Sequence, residues 1–412
     1  MNLEILEREF EAVVARNLSL NLTRGKPNSA QVALSDDLDG ILQGDFICSD
    51  GMDARNYGGL RGVPECRELG SYLTDYPVDL VFAAGNSSLQ LMYLILETIV
   101  NSGLAGSAPL SGSRCKAICP VPGYDRHFAA TDYLGVEMVC VDLNDDGPDM
   151  EQVEDLVKND PSTAIMWCVP KHSNPTGCTY SEAVVERIAR LPLLREDPDK
   201  HPFFVLWDNA YAVHDFGDEP SHLASIHEHA MAVETLDRIV AFASTSKITH
   251  AGAGVAFLAS GERLLNDIEA RLSVMIIGFD KVNQLRHARF LPSRARLEAH
   301  MRRHAEIVRP LFETTEQGLQ EQIGNTGLAT WTQPNGGYFV SLDVPGGLAR
   351  EVVALAGSAG LQLTAAGATY PYGNDPNDAN IRIAPTFASP EEVEEAMAIV
   401  GMSVQLAAAR HR

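Results

Sequence analysis

Residues 203–211 read FFVLWDNAY, and residues 239–247 read IVAFASTSK. Each segment begins with an apolar run and ends in polar residues. A run that is apolar on both faces is typical of a strand covered by helices on both sides of a parallel sheet. The Asp that ends one run and the Lys that follows the other are costly to bury unless they are paired or bind a ligand. We therefore expect Asp208 and Lys247 to lie in a ligand site at the carboxyl edge of a sheet.

Five further apolar runs alternate with helix-length segments in the first two thirds of the chain. They are Leu80–Ala84, Ala117–Val121, Glu137–Val141, Ala164–Val169 and Val255–Ala259. Strands that alternate with helices indicate a mostly parallel sheet. The sequence therefore predicts an α/β protein with a large domain built on a mostly parallel, seven-stranded sheet.

The two ends of the chain have a different pattern. Residues 2–16 place apolar side chains on one helical face. After Pro292 the pattern predicts an Arg-rich helix at about 293–323, a hairpin at 329–342, a helix at 347–357, a strand at 381–383 and a helix from Pro390. We expect residues 46–295 to form the large domain. Residues 1–45 and 296–412 are expected to form a smaller α+β domain from the two chain ends.

Composition and charge exclude several classes of protein. The 412 residues are 45% apolar and 21% charged, which is typical of a packed globular chain and not of a disordered or coiled-coil one. With 32 Lys and Arg against 55 Asp and Glu, the net charge is −23, which disfavours nucleic acid and anionic membranes as partners. No apolar run is long enough to span a bilayer, and seven cysteines do not form a disulfide framework. We therefore expect a cytoplasmic protein.

Lysine is rare in this chain, and Lys247 alone both follows a predicted buried strand and lies among small residues. A desolvated lysine has a lowered pKa and can form a Schiff base. An Asp nearby could keep a pyridinium nitrogen protonated, as the chemistry of pyridoxal phosphate requires. After the first predicted strand, Asn86–Ser88 offer small polar side chains and a helix N-terminus to a phosphate.

This combination, in order over nearly the whole chain, resembles the fold-type I, pyridoxal-phosphate-dependent aminotransferases. The resemblance implies that Lys247 in STSK forms the Schiff base and that Asp208 in DNAY pairs with the pyridine nitrogen. It also implies that Asn174 in SNPTG and Tyr211 reach the phenolic oxygen of the cofactor. Lys247, Asp208 and Tyr211 would then be the catalytic residues.

The remaining cofactor contacts follow from the same resemblance. Tyr124 in PGYDRH would stack on the cofactor ring. Tyr57 in NYGGLRG would cross from a neighbouring subunit to the phosphate, which implies a homodimer. The other residues expected to bind the phosphate are Asn86, Ser87, Ser88, Ser244 and Ser246.

The resemblance also implies a substrate site. Arg382 in NIRIAPTF would clamp the substrate α-carboxylate next to Asn174, and Gly25 in RGKP would lie in an N-terminal loop that covers the substrate. A dicarboxylate substrate needs a second cation. The candidates are Arg24, Arg126, Arg286 and Arg289, with His127 and Lys26 behind them, and the sequence does not choose among them.

One departure from the family pattern concerns the phosphate. Most relatives have an Arg a few residues after the Schiff-base Lys, whereas residues 248–255 here read ITHAGAGV. This segment, the DRH after Tyr124 and NQLRHARF at 283–290 most resemble an atypical aspartate aminotransferase subgroup related to the effector domains of MocR-type regulators. The subgroup implies transfer of an amino group from L-aspartate to 2-oxoglutarate by a ping-pong route.

Several alternatives stay open at this point. An aminotransferase for alanine, aromatic or kynurenine-type substrates, a lyase or decarboxylase of the same fold, and a cofactor-binding regulatory module all share the Lys and the Asp. A dehydrogenase is disfavoured because Gly252–Gly254 does not continue as a G-x-G-x-x-G motif. The spacing of His222, His227 and His229 does not match a zinc motif, so no metal site is expected.

Overall fold

Strands and helices alternate along the chain in the computed structural model, which describes residues 3–110 and 115–411. The strands are β1 (Leu20–Asn21), β2 (Val81–Ala83), β3 (Lys116–Val121), β4 (Glu137–Asn144), β5 (Gly147–Pro148), β6 (Thr163–Cys168), β7 (Phe204–Asp208), β8 (Ile239–Ser244), β9 (Ala256–Ala259), β10 (Thr330–Trp331), β11 (Val340–Asp343), β12 (Leu361–Gln362) and β13 (Asn380–Ile383). The helices are α1 (Leu3–Val14), α2 (Ser29–Ala33), α3 (Pro64–Thr74), α4 (Ser88–Asn101), α5 (Asp125–Tyr133), α6 (Met150–Asn159), α7 (Glu182–Arg190), α8 (Ile226–Ala232), α9 (Glu262–Ser273), α10 (Lys281–Phe290), α11 (Arg294–Ile323), α12 (Ala349–Ser358) and α13 (Pro390–Arg410).

The large sheet has the strand order β2-β9-β8-β7-β6-β3-β4-β5. Its central strands are parallel, whereas β9 is antiparallel to both of its neighbours, β2 and β8. The predicted mostly parallel sheet is therefore confirmed, and all seven predicted strands belong to it. The two-residue strand β5 adds an eighth, antiparallel edge. A segment this short carries no hydrophobic period that a sequence pattern could reveal.

Strand β7 shows why these runs are apolar on both faces. Val205 and Trp207 pack in one core with residues of α3 and α7. Phe204 and Leu206 point to the opposite face and pack in a second core with residues of α4 and α9. Because side chains alternate along a strand, helices on both sides of the sheet require apolar residues at every position. The same arrangement leaves the polar residue at the end of the strand, Asp208, at the sheet edge.

A third core joins the two ends of the chain. Leu6 and Phe10 of α1 share it with Val393 and Val400 of α13. Strand β1 pairs in parallel with β12, and β11 lies between β10 and β13 in a small antiparallel sheet. These elements place the N-terminal segment and Arg382 of β13 close together.

Helix α11 runs from the first core into the third. Leu297 and Met301 near its beginning pack with the core under the large sheet, whereas Leu311 and Leu319 pack with the two chain ends. Leu38, which lies before residue 46, also packs in the core under the sheet. The predicted division at residues 45 and 295 therefore stays a prediction. None of the helices in the described ranges is long and apolar enough to cross a bilayer.

Candidate active site

A cleft of about 500 Å³ opens beside the carboxyl ends of β6, β7 and β8. It is lined by Thr23, Arg24, Gly25, Tyr124, Asp125, Arg126, Asn174, Tyr211, Lys247, Phe339, Leu363, Thr364, Ala365, Ala368 and Arg382. Three parts of the chain meet here: the N-terminal segment, the loops after the parallel strands, and the C-terminal elements. The fold thus brings together eight of the residues that the sequence singles out, five of them from loops at the strand ends and the start of α5.

Lys247 lies three residues after the end of β8 and contributes to the cleft wall. Its Nζ lies 4.8 Å from the centroid of the Tyr211 ring. Desolvation lowers the pKa of Lys247, and the charge of Asp208 opposes this shift. A lowered pKa increases the fraction of neutral amine, which is the nucleophilic form of lysine.

Asp208 ends β7 and is 3% exposed. Its Oδ2 lies 3.0 Å from Nε2 of His127, and because a carboxylate accepts, the imidazole N–H donates. The His127 ring stacks on Trp167 with the ring centroids 4.1 Å apart, which fixes its orientation. Oδ1 of Asp208 is buried and has no hydrogen-bond partner among the described residues. A buried acceptor without a partner is costly, so this oxygen is ready to accept a bond from a ligand.

Two tyrosines and one asparagine complete the inner wall of the cleft. Burial raises the pKa of Tyr124 to about 12 and raises the pKa of Tyr211 well above its ordinary value. Both hydroxyls therefore stay protonated and able to donate at neutral pH. Asn174 is 3% exposed, and its Oδ1 accepts from Nη1 of Arg382 at 3.3 Å.

Arg382 lies in β13 and is 6% exposed. Its Nη1 lies 2.9 Å from Oδ1 of Asp125, and its Nη2 donates to the hydroxyl of Thr364 at 3.3 Å. The guanidinium also lies 5.0 Å from the centroid of the Phe339 ring, and its Nε is buried with no partner in the described ranges. Asp125 was missed by the sequence reasoning, because nothing local relates it to an arginine 257 positions away.

The candidates for a second cation differ in whether they line the cleft and in whether they already form an ion pair. Arg24 and Arg126 both line the cleft, and neither forms an ion pair within residues 3–110 and 115–411. Arg286 instead donates to the carbonyl of Leu38 and pairs with a neighbouring aspartate, so it does not line the cleft of its own chain. The predicted role of Arg286 in substrate binding therefore stays a prediction.

The other candidates also have different contacts. Arg289 pairs with Asp45 at 2.9 Å, away from the cleft. Nζ of Lys26 lies 3.6 Å from the centroid of the Phe387 ring. His127 already donates a hydrogen bond to Asp208. Of these candidates, Arg24 and Arg126 are the two that line the cleft of this chain.

The predicted phosphate residues lie on two adjacent segments. Asn86 Nδ2 donates to the carbonyl of Gly252 at 3.1 Å, which joins the start of α4 to the segment after Lys247. Ser87 is the N-cap of α4, and Ser88 is its first residue. The hydroxyls of Ser244 and Ser246 lie 3.2 Å apart. Tyr57 is 79% exposed, and its predicted role depends on a partner subunit, so that role stays a prediction.

Five further residues form hydrogen bonds around the carbonyls of Lys247 and Ile248 and were not singled out from the sequence. They are Gln31, His214, His300, His304 and Tyr338. The one local signal was the pair of histidines four residues apart, which lie on the same face of a helix. Nothing in the sequence indicated what that face contacts.

Comparison with known proteins identifies the family. The family model described as "Aspartate amino-transferase" matches residues 2–412. The chain belongs to this family. It is a fold-type I, pyridoxal-phosphate-dependent aminotransferase, as the sequence resemblance implied.

The aminotransferase has relatives of nearly equal length. It is 43% identical over 411 residues to an aspartate aminotransferase of Corynebacterium glutamicum, covering 99% of this chain and 94% of the relative. It is also 43% identical to a putative aminotransferase of Mycolicibacterium smegmatis over 96% of this chain and 92% of the relative. The crystal structure of an aspartate transaminase from C. glutamicum superposes with a TM-score of 0.95 at 43% identity, covering 99% of this chain and 96% of the other. The MocR-related subgroup stays a prediction.

Pyridoxal phosphate fits the residues of the cleft. The unpartnered Oδ1 of Asp208 suits the protonated ring nitrogen, and the desolvated amine of Lys247 suits the aldehyde carbon. The protonated hydroxyl of Tyr211 is a donor for an anionic phenolic oxygen. The N-terminus of α4, with its free N–H groups and nearby serine hydroxyls, suits a phosphate.

Proposed function

We propose that this aminotransferase transfers the amino group of L-aspartate to 2-oxoglutarate, giving oxaloacetate and L-glutamate by a ping-pong mechanism. The observation that supports it most is the presence of three guanidinium groups, those of Arg24, Arg126 and Arg382, at one cleft. Both substrates are dicarboxylates, so each needs one cation for the α-carboxylate and one for the distal carboxylate. The name of the C. glutamicum relative points to the same donor.

In this proposal, pyridoxal phosphate supplies the electron sink that makes the Cα–H bond of the substrate acidic. Lys247 Nζ takes that proton and returns it to the cofactor, acting as general base and then general acid. Asp208 Oδ1 would accept a hydrogen bond from the protonated ring nitrogen of the bound cofactor. Arg382 binds the α-carboxylate through its fork of donors and so orients the Cα–H bond towards Lys247.

The remaining roles belong to the same proposal. Tyr211 and Asn174 would donate to the phenolic oxygen of the cofactor, and Tyr124 would cover its ring. Arg126 or Arg24 binds the distal carboxylate at the mouth of the cleft. The exposed Tyr57 reaches the partner's phosphate in a homodimer, and a cytoplasmic location stays a prediction.

The first experiment follows the near-visible absorbance of the cofactor-loaded protein before and after addition of L-aspartate alone. We expect the band of the lysine-bound cofactor to disappear and a pyridoxamine band to appear, because the first half-reaction needs no acceptor. Lys247→Ala should show no lysine-bound band, whereas the exposed control Lys200→Ala should behave as the parent. A band that responds to alanine or aromatic donors and not to aspartate would overturn the proposed specificity.

Two arginine variants refine this test. Arg126→Leu and Arg24→Leu are compared for conversion by aspartate and by alanine. Loss of one distal ion pair should slow the reaction with aspartate by about tenfold or more and leave the reaction with alanine nearly unchanged. Release of ammonia from aspartate without any oxo acid would indicate a lyase, and a bound cofactor that no amino acid converts would indicate a regulatory module.

A further inference from the structure

The main chain of Lys247 is held by buried polar side chains that the proposed chemistry does not use. We call the following five residues the carbonyl cluster: Gln31, His214, His300, His304 and Tyr338. Nε2 of His214 lies 3.3 Å from the carbonyl oxygen of Lys247, and the hydroxyl of Tyr338 lies 3.5 Å from the same oxygen. These donors come from the loop after β7 and from the turn before β11, so two separate parts of the chain hold one carbonyl.

The next carbonyl along the chain is held from the long helix α11. Nε2 of His300 lies 2.7 Å from the carbonyl oxygen of Ile248, and Nε2 of His304 lies 3.0 Å from it. His300 and His304 are 1% and 2% exposed, so water does not replace these bonds. A buried carbonyl without a donor is costly, and the cluster therefore stabilises the chain at the lysine.

Gln31 fixes the direction of the hydrogen bonds in the carbonyl cluster. Its side-chain nitrogen, which can only donate, lies 3.2 Å from Nδ1 of His304 and 2.8 Å from the hydroxyl oxygen of Tyr338. His304 therefore accepts at Nδ1, carries its proton on Nε2 and donates that proton to Ile248. The Tyr338 oxygen accepts from Gln31 and directs its own O–H to Lys247. Gln31 is thus linked to both carbonyls through one intermediate side chain each.

The three histidines are neutral in this arrangement. Burial lowers the pKa of His214 well below its ordinary value, lowers that of His300, and lowers that of His304 to about 4. A neutral imidazole has one donor and one acceptor nitrogen, which agrees with the directions that Gln31 imposes. The cluster is therefore a fixed set of dipoles without net charge.

Gln31 also belongs to the N-terminal segment at the cleft. It is the third residue of α2, its Oε1 accepts from the backbone N–H of Asn28 at 3.2 Å, and Asn28 caps the same helix. A few residues earlier, Arg24 and Gly25 line the cleft. A Cβ at Gly25 would lie 2.6 Å from Cζ of Phe339, so the segment packs tightly against the residue next to Tyr338. The buried side chain of Gln31 thus bonds to the N-terminal segment at the cleft and also to His304 and Tyr338 behind the lysine.

We propose that Gln31, His304 and Tyr338 are positioning residues that couple the placement of residues 23–31 to the main chain of Lys247. The proposal rests on the role of Lys247 stated under Proposed function. Coupling between two sites is reciprocal in free energy. If the segment positions the lysine, then occupation of the lysine by cofactor also stabilises the segment.

The first test compares two variants that each remove one buried hydroxyl. Tyr338→Phe removes the hydroxyl between Gln31 and Lys247. Tyr76→Phe removes a buried hydroxyl that has no hydrogen-bond partner among the described residues and lies in the core under the sheet. The measurements are the midpoint pH of the visible band of the lysine-bound cofactor without substrate, and kcat and KM separately.

We expect Tyr338→Phe to shift the midpoint by about half a pH unit or more and to lower kcat about tenfold at a nearly unchanged KM. Tyr76→Phe should change neither quantity. Equal behaviour of the two variants in both measurements would overturn the proposal, because a merely structural hydroxyl would affect only thermal stability.

The second test addresses the coupling directly. Hydrogen exchange of the backbone amides of residues 23–31 is compared between the apoprotein and the cofactor-loaded protein. We expect the cofactor to slow exchange about threefold or more in the parent and in Tyr76→Phe, and expect this difference to disappear in Tyr338→Phe and in Gln31→Leu. A cofactor effect that persists in both variants would overturn the coupling. A visible lysine-bound band in Lys247→Ala would instead refute the proposed role of the lysine, on which this inference depends.

Discussion

The amine of Lys247 faces a cleft lined by charged groups, whereas the carbonyl of the same residue lies among neutral side chains away from water. In the cleft, Arg382 pairs with Asp125, whose side chain is one-third exposed. Behind the main chain, His214 and Tyr338 are 6% and 2% exposed and carry no charge at neutral pH.

This difference separates two requirements of one catalytic lysine. Arg382 is buried but its partner Asp125 is one-third exposed, so solvent screens this ion pair in part, and we expect an incoming carboxylate to compete with Asp125 for Arg382. Buried hydrogen bonds between neutral groups are costly to leave unmade, so they hold the main chain in one position. The cleft can therefore adapt to two substrates in turn while the lysine stays in place.

The largest effect is expected in the cleft, from Arg382→Ala. In the proposed mechanism, removal of this buried guanidinium leaves the α-carboxylate without its cation, so kcat/KM should fall about a hundredfold or more for every amino donor. Steady-state kinetics with aspartate and alanine measure it. Arg350→Ala, which removes the exposed arginine of an ion pair between α12 and Asp378, is the matched control and should change little. A loss confined to dicarboxylates would show that Arg382 binds the distal carboxylate instead.

A second prediction concerns the buried neutral histidines and the pH dependence of stability. Burial lowers the pKa of His287 and His304 to about 4, whereas both have a pKa of about 6.5 in the unfolded chain. Between these values the unfolded chain binds protons that the folded protein does not. The contribution of each histidine to the free energy of unfolding should therefore be constant above about pH 7 and fall by about 3 kcal/mol as the pH drops from 6.5 to 4.

Urea unfolding of His304→Gln between pH 4.5 and 7.5 checks this. The variant should be less stable at pH 7, because it loses a buried hydrogen bond, but its stability should depend less steeply on pH than that of the parent. His222→Gln, at an exposed position, should keep the parent's slope. An unchanged slope in His304→Gln would mean that His304 is not held neutral by burial.

The smallest effect is expected from Asp125→Asn. The carboxylate of Asp125 lies 2.9 Å from Arg382 and competes with the substrate, but it is partly screened by solvent. Its neutralisation should lower KM for aspartate about fivefold and tighten the binding of a dicarboxylate that has no amino group by a similar factor. A rise in KM for aspartate and in the dissociation constant of the dicarboxylate would show instead that Asp125 orients Arg382. The cleft would then be as rigid as the hydrogen bonds behind the main chain of Lys247.

The sequence predicted the fold and the inner part of the site because the signals were local. Runs that are apolar at every position indicate strands covered on both faces, and the sheet confirms them. Asp208 and Lys247 were recognisable because each follows such a run, where an unpaired charge is costly. The placement of Lys247 in the cleft wall, and of Asp208 at the same edge of the sheet, then follows from the rule that the carboxyl ends of parallel strands meet at one edge.

The tertiary structure alone decided which distant groups meet. Arg286 and Arg126 are equal candidates in the sequence, but one pairs with an aspartate in the N-terminal part of the chain and the other lines the cleft. Asp125 approaches Arg382 across 257 positions, and Gln31 approaches His304 across 273. Hydrophobic period and helix caps act over a few residues, so they fix the elements and the residues at their ends. Contacts between side chains on different elements depend on how those elements pack, and no local pattern in the chain encodes them.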